Sequence, residues 1–249
     1  MRRASFLFAA LLSAAGCASV VVEAPPGAAR SGTDADAAWV RVLERHVDAA
    51  GRVDFAGVAK EPADLEAYVA ALAIREDLFT DPKAALADLI NAYNALAMYN
   101  VVRSGIPREL DSSKVRFFYS TKFPLGGRKM SLYDLENKVI RPASDARVHA
   151  ALNCMARSCP RLPREPFRQA TLEAQLDAAV REFFNEERNV RLDPATNTVR
   201  FSEILKFYTD DFLRTEPSLV AYANRWREAK IPDGTKADFI PYDWTTNVQ

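Results

Sequence analysis

The chain has 249 residues, 49% of them hydrophobic, 27% charged and 10% aromatic, a balance that supports a buried core and excludes a disordered or collagen-like chain. Lys plus Arg and Asp plus Glu both number 33, so no excess positive charge exists to neutralise a phosphate backbone, and nucleic acid is not an expected partner. Two histidines and three cysteines confine any site chemistry to very few residues.

Met1-Arg2-Arg3 gives a basic start, and the apolar run from Phe6 to Ala15 is too short to span a bilayer. The run ends in Leu12-Ser13-Ala14-Ala15-Gly16-Cys17, which resembles the lipobox cut by the lipoprotein signal peptidase. Residues 1–16 are therefore read as a lipoprotein signal peptide and Cys17 as the lipidated first residue of an exported chain, so a membrane, reached through that lipid, is the expected partner. Cleavage as an ordinary signal peptide also leads to export. Loss of Arg2 and Arg3 leaves 31 basic against 33 acidic groups, a nearly neutral mature surface. Ala18-Ser19 lacks the Asp that commonly retains lipoproteins in the inner membrane, which by that resemblance favours the inner leaflet of the outer membrane. Residues 17–35, with Pro25-Pro26-Gly27 and Ser31-Gly32, read as a lipid-anchored flexible tether, and residues 36–249 as a single folded domain.

Thr33 or Asp34 can cap a helix to about Ala49, with Trp39, Val42, Leu43 and His46-Val47 at helical spacing. His46 lies on that stripe and reads as a packed side chain. A short extended piece follows at residues 51–55, and Pro62 opens a second helix. The strongest helix pattern starts at Asp81-Pro82 and ends at Ser104-Gly105; its apolar content covers more than one stripe, which predicts a buried central helix. Asn91 and Asn94 are neighbours on it, available either to tie backbone to the helix or to present an amide to a ligand.

Residues 114–119 read as a strand or an aromatic wall, and Pro124-Leu125-Gly126-Gly127 as a turn. Ser131 caps a helix that carries Glu136. Val148, Ala150 and Leu152 alternate, which predicts a strand over residues 146–152. A helix at 172–185, a hairpin of 190–192 with 198–201, and helices at 204–213 and 218–226 complete the pattern. The aromatic tail Phe239 to Trp244 is expected to dock on the body.

Residues 147–160, RVHAALNCMARSCP, gather His149, Asn153, Cys154, Arg157, Ser158 and Cys159, a cluster without parallel elsewhere in the chain. With HVDAAGRVDF at 46–55, INAYNAL at 90–96, LGGRKMSLYDLENKVIR at 125–141, VHAALNCMARSCP at 148–160 and PYDW at 241–244, the chain resembles the domain of unknown function 547 family. The resemblance implies no assigned activity. It departs at Asn137, where relatives often carry a histidine.

The cluster supports three arrangements. Cys154 and Cys159 can form a disulfide, since export places them in an oxidising compartment and lipidation of Cys17 leaves these two alone. Alternatively Cys154 is a nucleophile activated by His149, with Glu136 or Asn153 orienting the imidazole. In a third arrangement His149, Cys154, Cys159 and Glu136 bind zinc, although the spacing fits no common module. A sulfur-independent ligand site would use His149, Glu136, Arg157, Asn91 and Asn94, with arginine suited to a carboxylate or phosphate. The order of a long helix followed by a histidine-bearing strand resembles transglutaminase-like and papain-like folds, except that those carry their cysteine at the start of the central helix.

The expected architecture is one α+β domain: a small, mostly antiparallel sheet covered by helices, around one long buried helix. The expected function is that of a cell-envelope lipoprotein acting as a cysteine- and histidine-dependent hydrolase or acyltransferase on a peptide or peptidoglycan-type amide. The alternative is a non-catalytic envelope lipoprotein binding a polar ligand or protein partner, with Cys154–Cys159 as a structural disulfide. No cofactor is implied.

Overall fold

Helices form here where apolar side chains recur every three to four residues, and the longest of them organises the rest. The computed structural model describes residues 19–25 and 32–249; the leader read over 1–16 and the lipidation site Cys17 lie outside them. In chain order the helices are α1 (Gly32–His46), α2 (Phe55–Lys60), α3 (Ala63–Leu72) and α4 (Leu86–Arg103). Every residue of α4 from Leu86 to Val101 is buried apart from Asp88, as expected for a central helix. It begins at Leu86 rather than Pro82 because the Asp81 carboxylate accepts the backbone N–H groups of Lys83 and Ala84 and holds that stretch as a turn. At the other end Gly105 takes φ +77°, the left-handed conformation that stops a helix.

Next come β1 (Val20–Val21), β2 (Thr121–Leu125) and β3 (Arg128–Met130), one three-stranded sheet in which β1 and β2 are parallel and β2 and β3 antiparallel. Val20 and Val21 fall in the stretch read as a tether, yet they pair with Thr121 and Lys122. The turn between β2 and β3 is Gly126-Gly127, with φ of +54° and +72°, the backbone that a tight hairpin requires. Pro124 lies in β2 rather than in the turn.

The strand or aromatic wall expected over residues 114–119 is instead a π-helical turn, Val115–Ser120. Then α5 (Leu132–Leu135) passes through a second π-helical turn (Glu136–Ile140) into α6 (Arg141–Ala143). The strand expected over 146–152 is a 3-10 turn, Ala146–Ala150, opened by Asp145, whose side chain accepts the Arg147 N–H. Residues 148–152 are all buried, so the alternation of their apolar side chains does not mark two faces.

A second sheet is built from β4 (Val190–Asp193), β5 (Thr198–Ser202) and β6 (Lys236–Ile240): β4 and β5 form the expected antiparallel hairpin and β6 adds in parallel. It is packed by α7 (Leu172–Asn185), α8 (Ile204–Phe207), α9 (Thr209–Phe212) and α10 (Leu219–Trp226). Two hydrophobic clusters result, a large one around α4 and a smaller one around α7 and the second sheet. The architecture is a single α+β domain with two small mixed sheets. Among the described residues no helix is long and apolar enough to cross a membrane.

His46 is buried, with Nδ1 lacking a hydrogen-bond partner and 3.9 Å from Asp54. Burial holds its pKa below the usual histidine value, so it packs as a neutral ring.

Candidate active site

A cavity of about 470 Å³ opens along the seam between the two clusters, its walls including Tyr93, Glu136, His149, Cys154, Cys159 and Tyr242. Both π-helical turns contribute to it, Phe118 and Tyr119 from the first and Glu136 and Asn137 from the second. Such turns are rare and tend to occur at functional sites, because the extra residue shifts the side chains that follow.

The loop after the 3-10 turn brings the two cysteines together. The Asn153 amide donates to the Pro160 carbonyl at 2.7 Å, and its oxygen accepts the Met155 N–H at 2.7 Å. Met155 adopts φ +71°, a conformation that costs energy for a non-glycine residue and is imposed by this clamp. The aromatic tail docks on the loop as expected, Ser158 N–H donating to the Asp243 carbonyl at 3.2 Å and Asp243 N–H to the Ser158 hydroxyl oxygen at 2.8 Å; just beyond it Arg157 N–H donates to the Thr245 carbonyl at 2.8 Å and Asn247 N–H to the Met155 carbonyl at 2.8 Å. The two Sγ atoms consequently lie 2.9 Å apart, both buried and inside van der Waals contact.

This contact divides the pair. Cys159 Sγ accepts the Cys154 N–H at 3.1 Å and lies 3.2 Å from the Tyr242 hydroxyl, which stands 3.6 Å from Cys154 Sγ. For Cys154 the neighbouring sulfur and then burial push the thiol pKa up. For Cys159 burial alone would raise it, but hydrogen bonds from Cys154, Tyr242 and the backbone N–H groups outweigh burial and bring it below the ordinary thiol value. Cys159, rather than Cys154, is therefore the sulfur favoured as thiolate, with Cys154 as its S–H donor.

His149 Nε2–H donates to the Asp211 carboxylate at 2.8 Å and its ring stacks on Tyr208, ring centroids 4.0 Å apart. Asp211 also receives Arg141 Nε at 2.7 Å and Arg214 at 2.6 Å. Burial would raise the Asp211 pKa, yet the bonds from His149 and Arg141 hold it well below the usual carboxylate range. The imidazole is thus fixed through Nε2, which leaves Nδ1 for proton transfer. The hydrogen bonds of Cys154 go to Cys159 and Tyr242 and those of His149 to Asp211, so the expected direct Cys154–His149 bond is not made.

Glu136, expected to orient His149, instead accepts the Tyr93 hydroxyl at 3.0 Å and lies beside Tyr208. Burial first, and then the Glu136 charge, push both phenols up, so they remain protonated donors. Among the described residues no group of three or more His, Cys, Asp or Glu side chains is placed to hold a metal ion. The zinc arrangement does not form, since His149 is committed to Asp211 and Glu136 to Tyr93.

The three asparagines serve structure rather than the cavity. Asn91 accepts the Phe167 N–H at 3.0 Å and donates to its carbonyl at 2.8 Å. Asn94 accepts the Asn153 N–H at 2.8 Å and donates to the Ala151 carbonyl at 3.0 Å, tying the thiol loop to α4. Asn94→Ala is accordingly expected to cost about 2–4 kcal/mol in urea unfolding, because it leaves a buried donor and a buried acceptor unpaired. Arg157 faces a different cavity from His149.

Asp211 and Tyr242 were not singled out from the sequence. A signal for Asp211 existed: it stands three residues after Tyr208 on the apolar stripe of Leu205, Tyr208 and Phe212, where a carboxylate is buried and requires partners.

No curated protein and no solved structure matches the chain. Residues 79–184, which hold α4, the Glu136 turn and the whole His149–Cys159 segment, match the family described as "Protein of unknown function, DUF547", whereas the 46–55 and 241–244 pieces lie outside that match.

Proposed function

We propose that the chain is an exported cell-envelope lipoprotein, anchored through Cys17 at the inner leaflet of the outer membrane or in the periplasm, whose cavity carries out thiol-dependent acyl transfer on a peptide or peptidoglycan-type amide. One observation supports the reading: two cysteine thiols in contact and a carboxylate-held imidazole line the same cavity. In this chemistry His149 takes the proton of Cys159, and the thiolate attacks the amide carbonyl carbon, whose electron pair moves to oxygen. Collapse expels the amine, which receives the proton from His149, and leaves a thioester on Cys159. Water, or a second amine, then takes the acyl group, with His149 accepting its proton and the thiol restored. Lys114 and Arg141 on the cavity wall suit the carboxylates of such substrates.

A second reading has one observation in its favour. The 2.9 Å contact of the sulfurs also suits a non-catalytic lipoprotein that binds a polar ligand or protein partner and carries Cys154–Cys159 as a structural disulfide. Intact-mass spectrometry of the purified mature chain, with alkylation before and after reduction, separates the two. The acyl-transfer reading expects a lipid-modified Cys17 at the N-terminus and two alkylatable thiols without reductant. Stoichiometric loss of both thiols until reduction supports the disulfide reading instead.

A further inference from the structure

A second cavity, of about 370 Å³, is lined by Arg52, Arg157, Arg161, Arg188 and Arg191. Five arginines on the wall of one cavity are unexpected in a chain whose acidic and basic residues balance at 33 each. Two of them are committed: Arg161 and Arg188 both pair with Glu186, and Arg188 also donates to the carbonyls of Arg157 at 3.1 Å and Cys159 at 3.0 Å. Of the other three, Arg191 donates from Nε to the Glu187 carbonyl at 3.1 Å. Among the described residues no ion pair reaches Arg52, Arg157 or Arg191, and all three are exposed. The one carboxylate on the cavity wall, Asp243, accepts the Thr245 N–H at 2.9 Å.

Like charges gathered in a concavity repel one another and focus a positive potential there, which a mobile anion relieves. Guanidinium groups converging from separate segments can each offer a planar pair of N–H donors, the geometry that recognises oxyanions bidentately. The geometry points to an anion-binding site, distinct from the thiol cavity, that takes a multiply charged phosphate-type oxyanion, free or as a lipid headgroup. Arg161 and Arg188 are held on its wall by Glu186, and Arg52, Arg157 and Arg191 supply its unneutralised charge.

The test uses the full chain at about 0.15 M salt, where loosely held surface ions are screened. Calorimetric titration with inorganic pyrophosphate is expected to show saturable binding that R52Q/R157Q/R191Q weakens at least tenfold. The melting temperature without ligand is expected to stay unchanged, since none of the three side chains is buried. Should the triple variant fold poorly, R157Q alone is expected to weaken binding severalfold. Flotation of the unlipidated Cys17→Ser chain with phosphatidylcholine vesicles, with and without phosphatidylglycerol, distinguishes the sources: charge-dependent flotation lost in the variant identifies a headgroup, and pyrophosphate binding alone identifies a soluble oxyanion. Absence of binding in both arms, or equal binding by wild type and variants, overturns the site.

Discussion

Asp211→Asn is expected to destabilise the protein by about 3 kcal/mol at neutral pH, because it removes the charge that Arg141, Arg214 and His149 share while leaving them in place. For a chain of this size that corresponds to a fall in Tm of roughly 6–12 °C. Measuring the loss across pH tests its cause. The Asp211 pKa is depressed in the folded state, so its contribution is fully present above the unfolded carboxylate value of about 3.9 and is lost as pH falls toward the folded value. The gap between wild type and variant should therefore be widest near neutrality and narrow below about pH 4. A gap that stays constant down to pH 2 would mean that the carboxylate acts through packing rather than charge.

The second large effect concerns the cysteines, which the geometry makes unequal. With an activated ester such as p-nitrophenyl acetate as probe, Cys159→Ala is expected to lower turnover on the order of 10³-fold or more, the scale of losing a nucleophile. Cys154→Ala removes an S–H donor to the thiolate and leaves the nucleophile in place, so about a tenfold loss is expected, the equivalent of one pKa unit. Equal losses from the two substitutions, accompanied by equal destabilisation, would instead indicate a disulfide. His149→Ala should also lower turnover, since without the imidazole no base takes the proton of Cys159 or of the water that hydrolyses the thioester.

Much of this arrangement is legible in the sequence. The apolar content of α4 marks a buried helix, the Asp193-Pro194-Ala195-Thr196-Asn197 spacing marks the β4–β5 hairpin, and the aromatic tail docks where its composition suggests. The segment holding His149, Cys154 and Cys159 stands out because it concentrates reactive residue types. What the sequence hides is geometry that depends on distant partners. Residues 146–152 alternate like a strand, but burial on all sides and the Asp145 cap favour a 3-10 turn. Along an unbroken strand His149 and Cys154 would point to opposite faces; the 3-10 turn lets both line one cavity. Glu136 resembles an orienting carboxylate by its placement in the motif, yet the imidazole bonds to Asp211, 62 residues away in sequence, and no local pattern encodes such a contact. Asn91, Asn94 and Asn153 look like ligand amides and prove to be backbone clamps, because buried amides in a tightly packed loop are drawn to unpaired backbone groups. Arg157 shares the motif with His149 but, being past the loop reversal, faces the arginine-lined cavity.

The claim that Cys159 is the reactive sulfur is tested most directly by site-resolved alkylation. The freshly purified chain is pulsed with iodoacetamide across a pH series, and labelling at each cysteine is quantified by peptide mass spectrometry. Cys159 should label first, with a midpoint below that of an ordinary thiol, and Cys154 should lag behind it. Faster labelling of Cys154, or a midpoint for Cys159 above that of an ordinary thiol, would contradict the account.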